Sequence, residues 1–123
     1  MMRDPRRDDT APGTVRPCVL VVGCSQEFMH RCEQAALAVH PLVKEAGVRS
    51  AARLAEQFRP LVIVTLEPVF AFDPGGFRAL ARSAGAFLVV VPTEEVPSVE
   101  LDVRLFSGIL EASRRRQRDL EPV

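Results

Sequence analysis

Three short runs of apolar, mostly β-branched residues constrain the fold more than any other feature. They occupy residues 18–22 (CVLVV), 61–66 (LVIVTL) and 86–91 (AFLVVV). Hydrophobicity that is continuous rather than alternating is typical of strands covered on both faces, as in a parallel sheet between helices. A weaker run at 41–46 (PLVKEA) carries Lys44 and Glu45, which suits a strand at the edge of the sheet.

In chain order the first three predicted strands are at 18–22, 41–46 and 61–66. Each is followed by a segment in which apolar residues recur with helical spacing. Capping and breaking residues bound these segments, namely Ser25 to Val39, Ser50 to Pro60, and Asp73–Pro74 to Gly85. A hydroxyl or carboxylate at the N-cap, proline at the first helical position and glycine after the last turn are helix-boundary signals. We expect Gly75 and Gly76 to lie in the first turn of the third helix.

The alternation of strands and helices predicts an α/β fold. Short connections between parallel strands require right-handed crossovers, which place helices on both faces of the sheet. The expected architecture is a flavodoxin-like three-layer α/β/α sandwich with strand order 2-1-3-4. The segment after Pro92 departs from the alternation: we expect one helix from about Val103, with residues 98–101 forming at most a short fifth strand.

The length of 123 residues indicates a single domain. Residues 1–16 are polar and proline-containing, which predicts a flexible tail before a domain at 17–118, and 119–123 form a second tail. No run is long and apolar enough for membrane insertion. Cysteines at 18, 24 and 32 form neither an even set nor a CxxC pair, so we expect free thiols and a cytoplasmic location.

The balance of 16 basic and 16 acidic residues argues against a general affinity for nucleic acid. The exception is the arginine-rich stretch 114–118 (RRRQR), which leaves nucleic-acid contact through the last helix as an alternative function. Lys44 is the only lysine against fifteen arginines, a bias that suggests a bacterium with G+C-rich coding.

Several stretches together resemble the receiver domain of bacterial response regulators. They are VLVVGCSQEF, PLVKEAGVRSAARLAEQFRP, LVIVTLEP and GGFRALARSAGAFLVVVP, and the resemblance covers roughly residues 18–92. Receivers transfer a phosphoryl group onto an aspartate at the end of the third strand. They use Mg²⁺ held by two acids after the first strand, a hydroxyl after the fourth and a lysine after the fifth.

The residues of this chain depart from that pattern at each step. Gly23 and Cys24 stand where the acid pair is expected, and neither supplies the carboxylate oxygens that Mg²⁺ needs. Thr65 takes the place of the phosphoacceptor, Thr93 is displaced by one position from that of the hydroxyl, and Lys44 lies too early to be the switch lysine. The resemblance therefore implies a pseudo-receiver: no enzyme activity, no Mg²⁺ or other cofactor, and phosphorylation-independent signalling by protein–protein interaction.

The helix that follows the fourth strand in receivers has no counterpart here, so one side of that strand and the last helix would be uncovered. Such an edge suits another signalling protein or a second copy of the chain, a homodimer through the fourth strand and the C-terminal helix. The candidate partner face comprises Glu94, Glu95, Glu100, Phe106, Arg114, Arg115 and Arg116. Its acids either protect the edge or select a basic partner.

Two phenylalanines, Phe70 and Phe72, alternate in the stretch EPVFAFDP after the third strand. We expect them to cover the vacated acid pocket, with exposed anchoring of a partner as the alternative.

Cys24 supports a different class of function, a small thiol enzyme or anion-binding protein. It lies just before the first helix, where a helix N-terminus favours a thiolate and binds anions. A phosphate-binding loop of cysteine, five residues and arginine would need arginine at position 30, where His30 stands. Neither His30 nor His40 has metal-ligand spacing with the cysteines.

Overall fold

The computed structural model describes residues 17–120. These residues contain a parallel four-stranded sheet. Its strands are β1 (Cys18–Val22), β2 (Leu42–Ala46), β3 (Val62–Leu66) and β4 (Phe87–Val91). Their order is β2-β1-β3-β4, with β2 and β4 at the edges. The predicted flavodoxin-like α/β architecture and its strand order are confirmed.

Helices accompany the sheet on both sides. Those of the described residues are α1 (Gln26–Glu33), α2 (Ala51–Phe58), the short α3 (Glu67–Phe70), α4 (Pro74–Ala84) and α5 (Ser98–Leu120). Among residues 17–120, no helix is both long and apolar enough to cross a membrane.

Two separate layers of apolar side chains explain why the central strands are apolar throughout. Alternate residues of a strand point to opposite faces, so both faces of β1 and β3 need apolar cover. On one face Val19 and Val64 pack with Leu105 of α5 and residues of α1. On the other, Leu20 and Ile63 pack with residues of α2 and α4.

Side-chain caps stabilise the predicted starts of α1 and α4. The Ser25 hydroxyl accepts a hydrogen bond from the Phe28 amide at 3.1 Å. The Asp73 carboxylate accepts one from the Gly76 amide at 3.0 Å, and Gly85 ends α4 in the left-handed conformation at φ 69°. Each cap satisfies backbone groups that a helix end leaves without an intrahelical partner.

The first helix is shorter than the sequence predicts. It ends at Glu33 rather than near Val39, and residues 37–39 form a separate 3₁₀ turn that closes at His40. The Ala36 amide donates to the Asp102 carboxylate of α5 instead of continuing the helical ladder. Ala36 and His40 both take positive φ, at 52° and 49°, which no continuing helix permits.

The C-terminal segment also differs from the prediction. Residues 98–101 form the first turn of α5, not a fifth strand, and the helix begins at Ser98 rather than near Val103. The Leu101 amide donates to the Pro97 carbonyl at 2.9 Å, and the Leu101 side chain is buried in the core. Burial of this side chain against the sheet favours the helical start.

The chain runs from β4 directly into α5, and residues 92–97 between them contain neither a helix nor a fifth strand. The last helix extends to Leu120, two residues into the segment predicted as a tail. The N-terminal tail prediction for residues 1–16 lies outside the described residues, as do residues 121–123.

Candidate site at the carboxyl edge of the sheet

The carboxyl ends of parallel strands are where open α/β sheets bind ligands. Here Gly23 follows β1 and Thr65 is the penultimate residue of β3. The two strand ends are joined by the Thr65 hydroxyl, which donates to the Val22 carbonyl at 3.0 Å. The structure thus brings together the first part of the predicted vestigial pocket.

Thr65 is fully buried, with no solvent-exposed surface. Its hydroxyl is already used as a donor, which satisfies a buried polar group as a stable core requires. A phosphoryl group would need open space and cation support at this atom. Thr65, which the resemblance places at the phosphoacceptor position, is therefore part of the packed core.

Gly23 holds the turn after β1 in the left-handed region, at φ 70°. A Cβ atom built on Gly23 would lie 3.1 Å from a methyl group of Val69 in α3 and 3.4 Å from one of Val48. Glycine is therefore favoured both by its conformation and by close packing. Where receivers keep magnesium-binding acids, this chain has a tight turn covered by valine.

Cys24 is half-buried, and its thiol donates to the Val22 carbonyl at 3.4 Å. Burial, and then the negative charge of Glu94, raise the pKa of Cys24 from 9.0 to about 12. The thiolate is the reactive form of cysteine, so a raised pKa makes this thiol inert at neutral pH.

Glu94 sits at the N-terminus of α1. Its carboxylate accepts hydrogen bonds from the Ser25 amide, at 3.0 Å, and from the Ser25 hydroxyl. A helix N-terminus attracts anions, and here the chain supplies its own. The anion position considered for the Cys24 alternative is thus filled by Glu94, which the sequence assigned to the partner face.

Thr93 and Glu95 form a local turn after β4. The Thr93 hydroxyl lies 2.9 Å from a carboxylate oxygen of Glu95 and accepts the Glu95 amide at 2.6 Å. Thr93 is exposed, whereas Thr65 is buried. Of the two threonines of the predicted pocket, Thr65 therefore belongs to the packed core and Thr93 to an exposed turn.

The two phenylalanines after β3 take different places. Phe72 is 91% exposed, while Phe70 packs against Phe77 with ring centroids 6.0 Å apart and lies beneath the Arg78 guanidinium. The nearest atoms to Gly23 belong to Val69 and Val48, so valines cover this turn. The stretch expected to be a loop contains α3, which positions Val69.

The outer edge of β4 is covered by arginines of α5. Arg104 donates to the Val90 carbonyl at 3.0 Å and pairs with Glu100 at 2.8 Å. Arg115 lies 5.5 Å from the centre of the Phe87 ring and pairs with Glu111 at 3.3 Å. The edge that the sequence left open is partly closed by the same chain.

Arg116 has a different role from its neighbours in the arginine-rich stretch. Its guanidinium donates to three carbonyls, those of Arg59 (3.2 Å), Pro60 (2.9 Å) and Ala84 (3.0 Å). These carbonyls follow α2 and end α4, so one side chain joins the ends of two helices to α5. This residue is structural, and only its position next to other arginines had suggested a partner contact.

Arg31 is a second anchoring residue that sequence reasoning missed. Its guanidinium donates to the carbonyls of Glu94 and Val96 and, at 3.3 Å, to the Ser98 hydroxyl. It thus fixes the 92–97 loop against α1. A groove of about 460 Å³ between α1 and α5 is bordered by Arg31, but the Arg31 guanidinium is engaged in these internal contacts.

An apolar stripe lies on the outer face of α5. It consists of Val99, Val103, Phe106 and Leu110, spaced by four, three and four residues. Val99 is 77% exposed and Val103 is 55% exposed, while Phe106 is half-buried against the core. We call these four residues the α5 stripe. The spacing was visible in the sequence, but which side of the helix faces the sheet was not.

Within residues 17–120 no group of three or more His, Cys, Asp and Glu side chains could hold a metal ion. Neither a scan against protein-family models nor searches of curated proteins and of solved structures found a match. The function is therefore argued from the residues of this chain.

Proposed function

We propose that this chain is a degenerate receiver-like domain that acts by binding another protein, without phosphorylation and without catalysis. The observation that carries the proposal is the burial of Thr65, whose hydroxyl is committed to the Val22 carbonyl. A phosphoacceptor must meet a phosphodonor and a metal ion, and a side chain enclosed in the core is accessible to neither.

The surroundings of Thr65 support the same conclusion. Gly23 turns tightly beneath Val69, and the Glu94 carboxylate occupies the start of α1. A second negative group arriving there would be repelled by Glu94 and would lose the helix-dipole attraction that Glu94 already uses. The carboxyl edge is built for stability instead of phosphoryl binding.

The α5 stripe supports binding of a protein partner. Exposed valines with helical spacing on one face of a long helix form the kind of surface that packs against another helix. The neighbouring Leu37 is 53% exposed and follows Ala36, whose amide is bonded to Asp102 of α5. Of the six exposed large apolar residues among those described, four therefore lie on or beside α5, whereas Val48 and Phe72 lie in loops at the carboxyl edge.

The two alternatives from the sequence have weaker support. The raised pKa of Cys24 and the presence of Glu94 disfavour a thiol enzyme. Nucleic-acid binding would use the arginines of α5, but Arg116 donates to internal carbonyls and Arg115, although exposed, is paired with Glu111. Arg114 and Arg118 are exposed and have no ion pair with another side chain that the structure describes. Two unpaired guanidinium groups supply little of the phosphate neutralisation that drives such binding.

A reducing, cytoplasmic environment forms part of the proposal. All three cysteines are free thiols, with Cys18 and Cys32 buried in the core. Burial also raises the pKa of Cys32 to about 12, which protects it from oxidation through the thiolate.

The test is a titration of the full chain with Mg²⁺ and beryllofluoride, an acyl-phosphate mimic, followed by amide NMR. We expect the resonances of Gly23, Thr65 and Thr93 to stay unchanged. The nearest exposed carboxylate after β3 belongs to Glu67, the residue most able to replace the missing aspartate.

Saturable shifts at these amides that disappear in Glu67→Gln would overturn the proposal, because they would show a working acid site. Glu56→Gln is the matched control, since Glu56 is an exposed glutamate on α2. A loss of shifts in both variants would point to nonspecific ion binding and would leave the edge closed as proposed.

A further inference from the structure

The charges of the chain after β4 are segregated. Residues 93–102 contain four carboxylates and no basic residue, whereas residues 113–118 contain four arginines and no acid. The α5 stripe begins within the acidic segment, at Val99, and ends at Leu110, before the arginines. The helix α5 runs from Ser98 to Leu120. At the α-helical rise per residue it is about 34 Å long, so the two charged ends are well separated.

Part of this charge is available at the surface. At the acidic end Glu95 is exposed, and Glu100 is half-exposed but paired with Arg104 of the same helix. At the basic end Arg114 and Arg118 are exposed, as is Arg115, which is paired with Glu111. No ion pair joins Arg114 or Arg118 to any other side chain that the structure describes. The surface is thus acidic just before and at the first turn of α5, apolar along the middle of its outer face and basic toward its end.

A surface with this order is complementary to itself when it is turned around. From this self-complementarity we infer that the partner of the α5 stripe is a second copy of the chain, packed antiparallel through α5 in a two-fold symmetric dimer. The inference rests on the proposed function and names its partner.

The spacing of the stripe fits helix-to-helix packing. Steps of four, three and four residues are those of the core positions of a heptad, which keep one seam of a helix facing another helix. Val103 and Phe106 lie at the middle of the stripe, with Val99 and Leu110 at its ends. A two-fold axis between Val103 and Phe106 would place Val99 of one copy level with Leu110 of the other.

The charges at the two ends of the helices favour the antiparallel over the parallel orientation. The two-fold axis would place Arg114 of one copy just beyond the first turn of α5 of the other, one to two turns from Glu100 and on the side of the loop that carries Glu95. A parallel pair would instead place acid beside acid and arginine beside arginine, which is destabilising. Because two-fold symmetry repeats every contact, each favourable charge pair would occur twice.

The test is sedimentation equilibrium of the full chain across a wide concentration range. We expect a reversible dimer in the wild type and a monomer in Val103→Glu, since a carboxylate in the seam would be buried without a partner. Phe72→Glu is the matched control because Phe72 is 91% exposed and lies between α3 and α4, away from α5. Circular dichroism of each variant checks that the fold is kept.

Orientation is tested by charge reversal. Arg114→Glu with Arg118→Glu should weaken the dimer, and adding Glu95→Arg with Glu100→Arg to the same chain should restore it. Restoration is expected only if opposite ends of the two helices meet, and it should diminish at high salt.

A wild-type chain that stays monomeric at every concentration would overturn the dimer, as would a dimer that persists in Val103→Glu. Charge reversals without effect would overturn the antiparallel orientation. None of these results depends on the carboxyl edge, whose beryllofluoride test decides the proposed function separately.

Discussion

The carboxyl edge of the sheet and the outer face of α5 contrast in how their side chains are used. At the edge, Thr65 and Ser25 both spend their hydroxyl groups on internal hydrogen bonds, and valine packs on Gly23. On α5, Val99 and Val103 face solvent. The strand ends at the customary ligand-binding edge of this α/β sheet are thus closed by internal contacts around Thr65 and Gly23, while α5 carries an exposed apolar stripe.

The largest expected effect comes from restoring the acid that a receiver would carry. Thr65 is fully buried. Thr65→Asp places a carboxylate there without a cation, which should reduce the free energy of unfolding by about 3–5 kcal/mol. Urea denaturation followed by circular dichroism measures this loss, with Thr65→Ser, which keeps the hydroxyl, as the control. A stable Thr65→Asp variant that binds Mg²⁺ would show that the edge is open.

A smaller loss of unfolding free energy is expected from a substitution in the turn after β1. Gly23→Ala forces alanine into positive φ against Val69. The left-handed conformation of a residue with a Cβ should cost roughly 1–2 kcal/mol of unfolding free energy. Gly47→Ala is the control, because its added Cβ would meet only the Ser50 hydroxyl at 4.0 Å. Equal stability of the two variants in urea denaturation would contradict the tight packing described for Gly23.

Alkaline pH should weaken the fold through the buried thiols. Burial raises the pKa of Cys24 and of Cys32 from 9.0 to about 12, so the folded state retains protons that the unfolded state releases above pH 9. The stabilising effect is complete below pH 9 and is lost between pH 9 and about 12, as linkage between folding and proton binding requires.

Few other groups titrate in that range, because the chain has no tyrosine and only one lysine. Denaturation curves measured from pH 8 upward should show decreasing stability, with a shallower decrease in the double variant Cys24→Ser, Cys32→Ala. An identical pH dependence in wild type and double variant would show that neither thiol is the cause.

The smallest effect on stability is expected on α5. Val103 is an exposed apolar side chain. Its replacement in Val103→Ser should change the free energy of unfolding by about 0.5 kcal/mol or less, as is usual for surface substitutions. The same variant should reduce association measured by sedimentation. Strong destabilisation of the dilute protein would show that Val103 supports the monomer fold and is no binding residue.

Most of the sheet could be predicted because its information is local. Continuous apolar runs predicted β1, β3 and β4, and Asp73 and Gly85 marked the ends of α4. The strand order followed from the alternation of strands and helices. Such features depend on residues that are close in the sequence.

The errors have a common physical cause, which is contact between distant residues. The early end of α1 depends on the Ala36 amide and Asp102, 66 positions apart. The occupied N-terminus of α1 depends on Ser25 and Glu94, 69 positions apart. Periodicity within one segment carries no information about such partners. For the same reason, Glu94 was assigned to a partner face when its partner lies in the same chain.

The most direct measurement for the contrast between the two regions is an amide NMR dilution series of the full chain without ligand. Shifts that depend on concentration should be confined to residues 99–110 and the neighbouring Leu37, while the amides at 22–24 and 65–66 stay fixed. Concentration-dependent shifts at Gly23 and Thr65, with none along α5, would contradict the account.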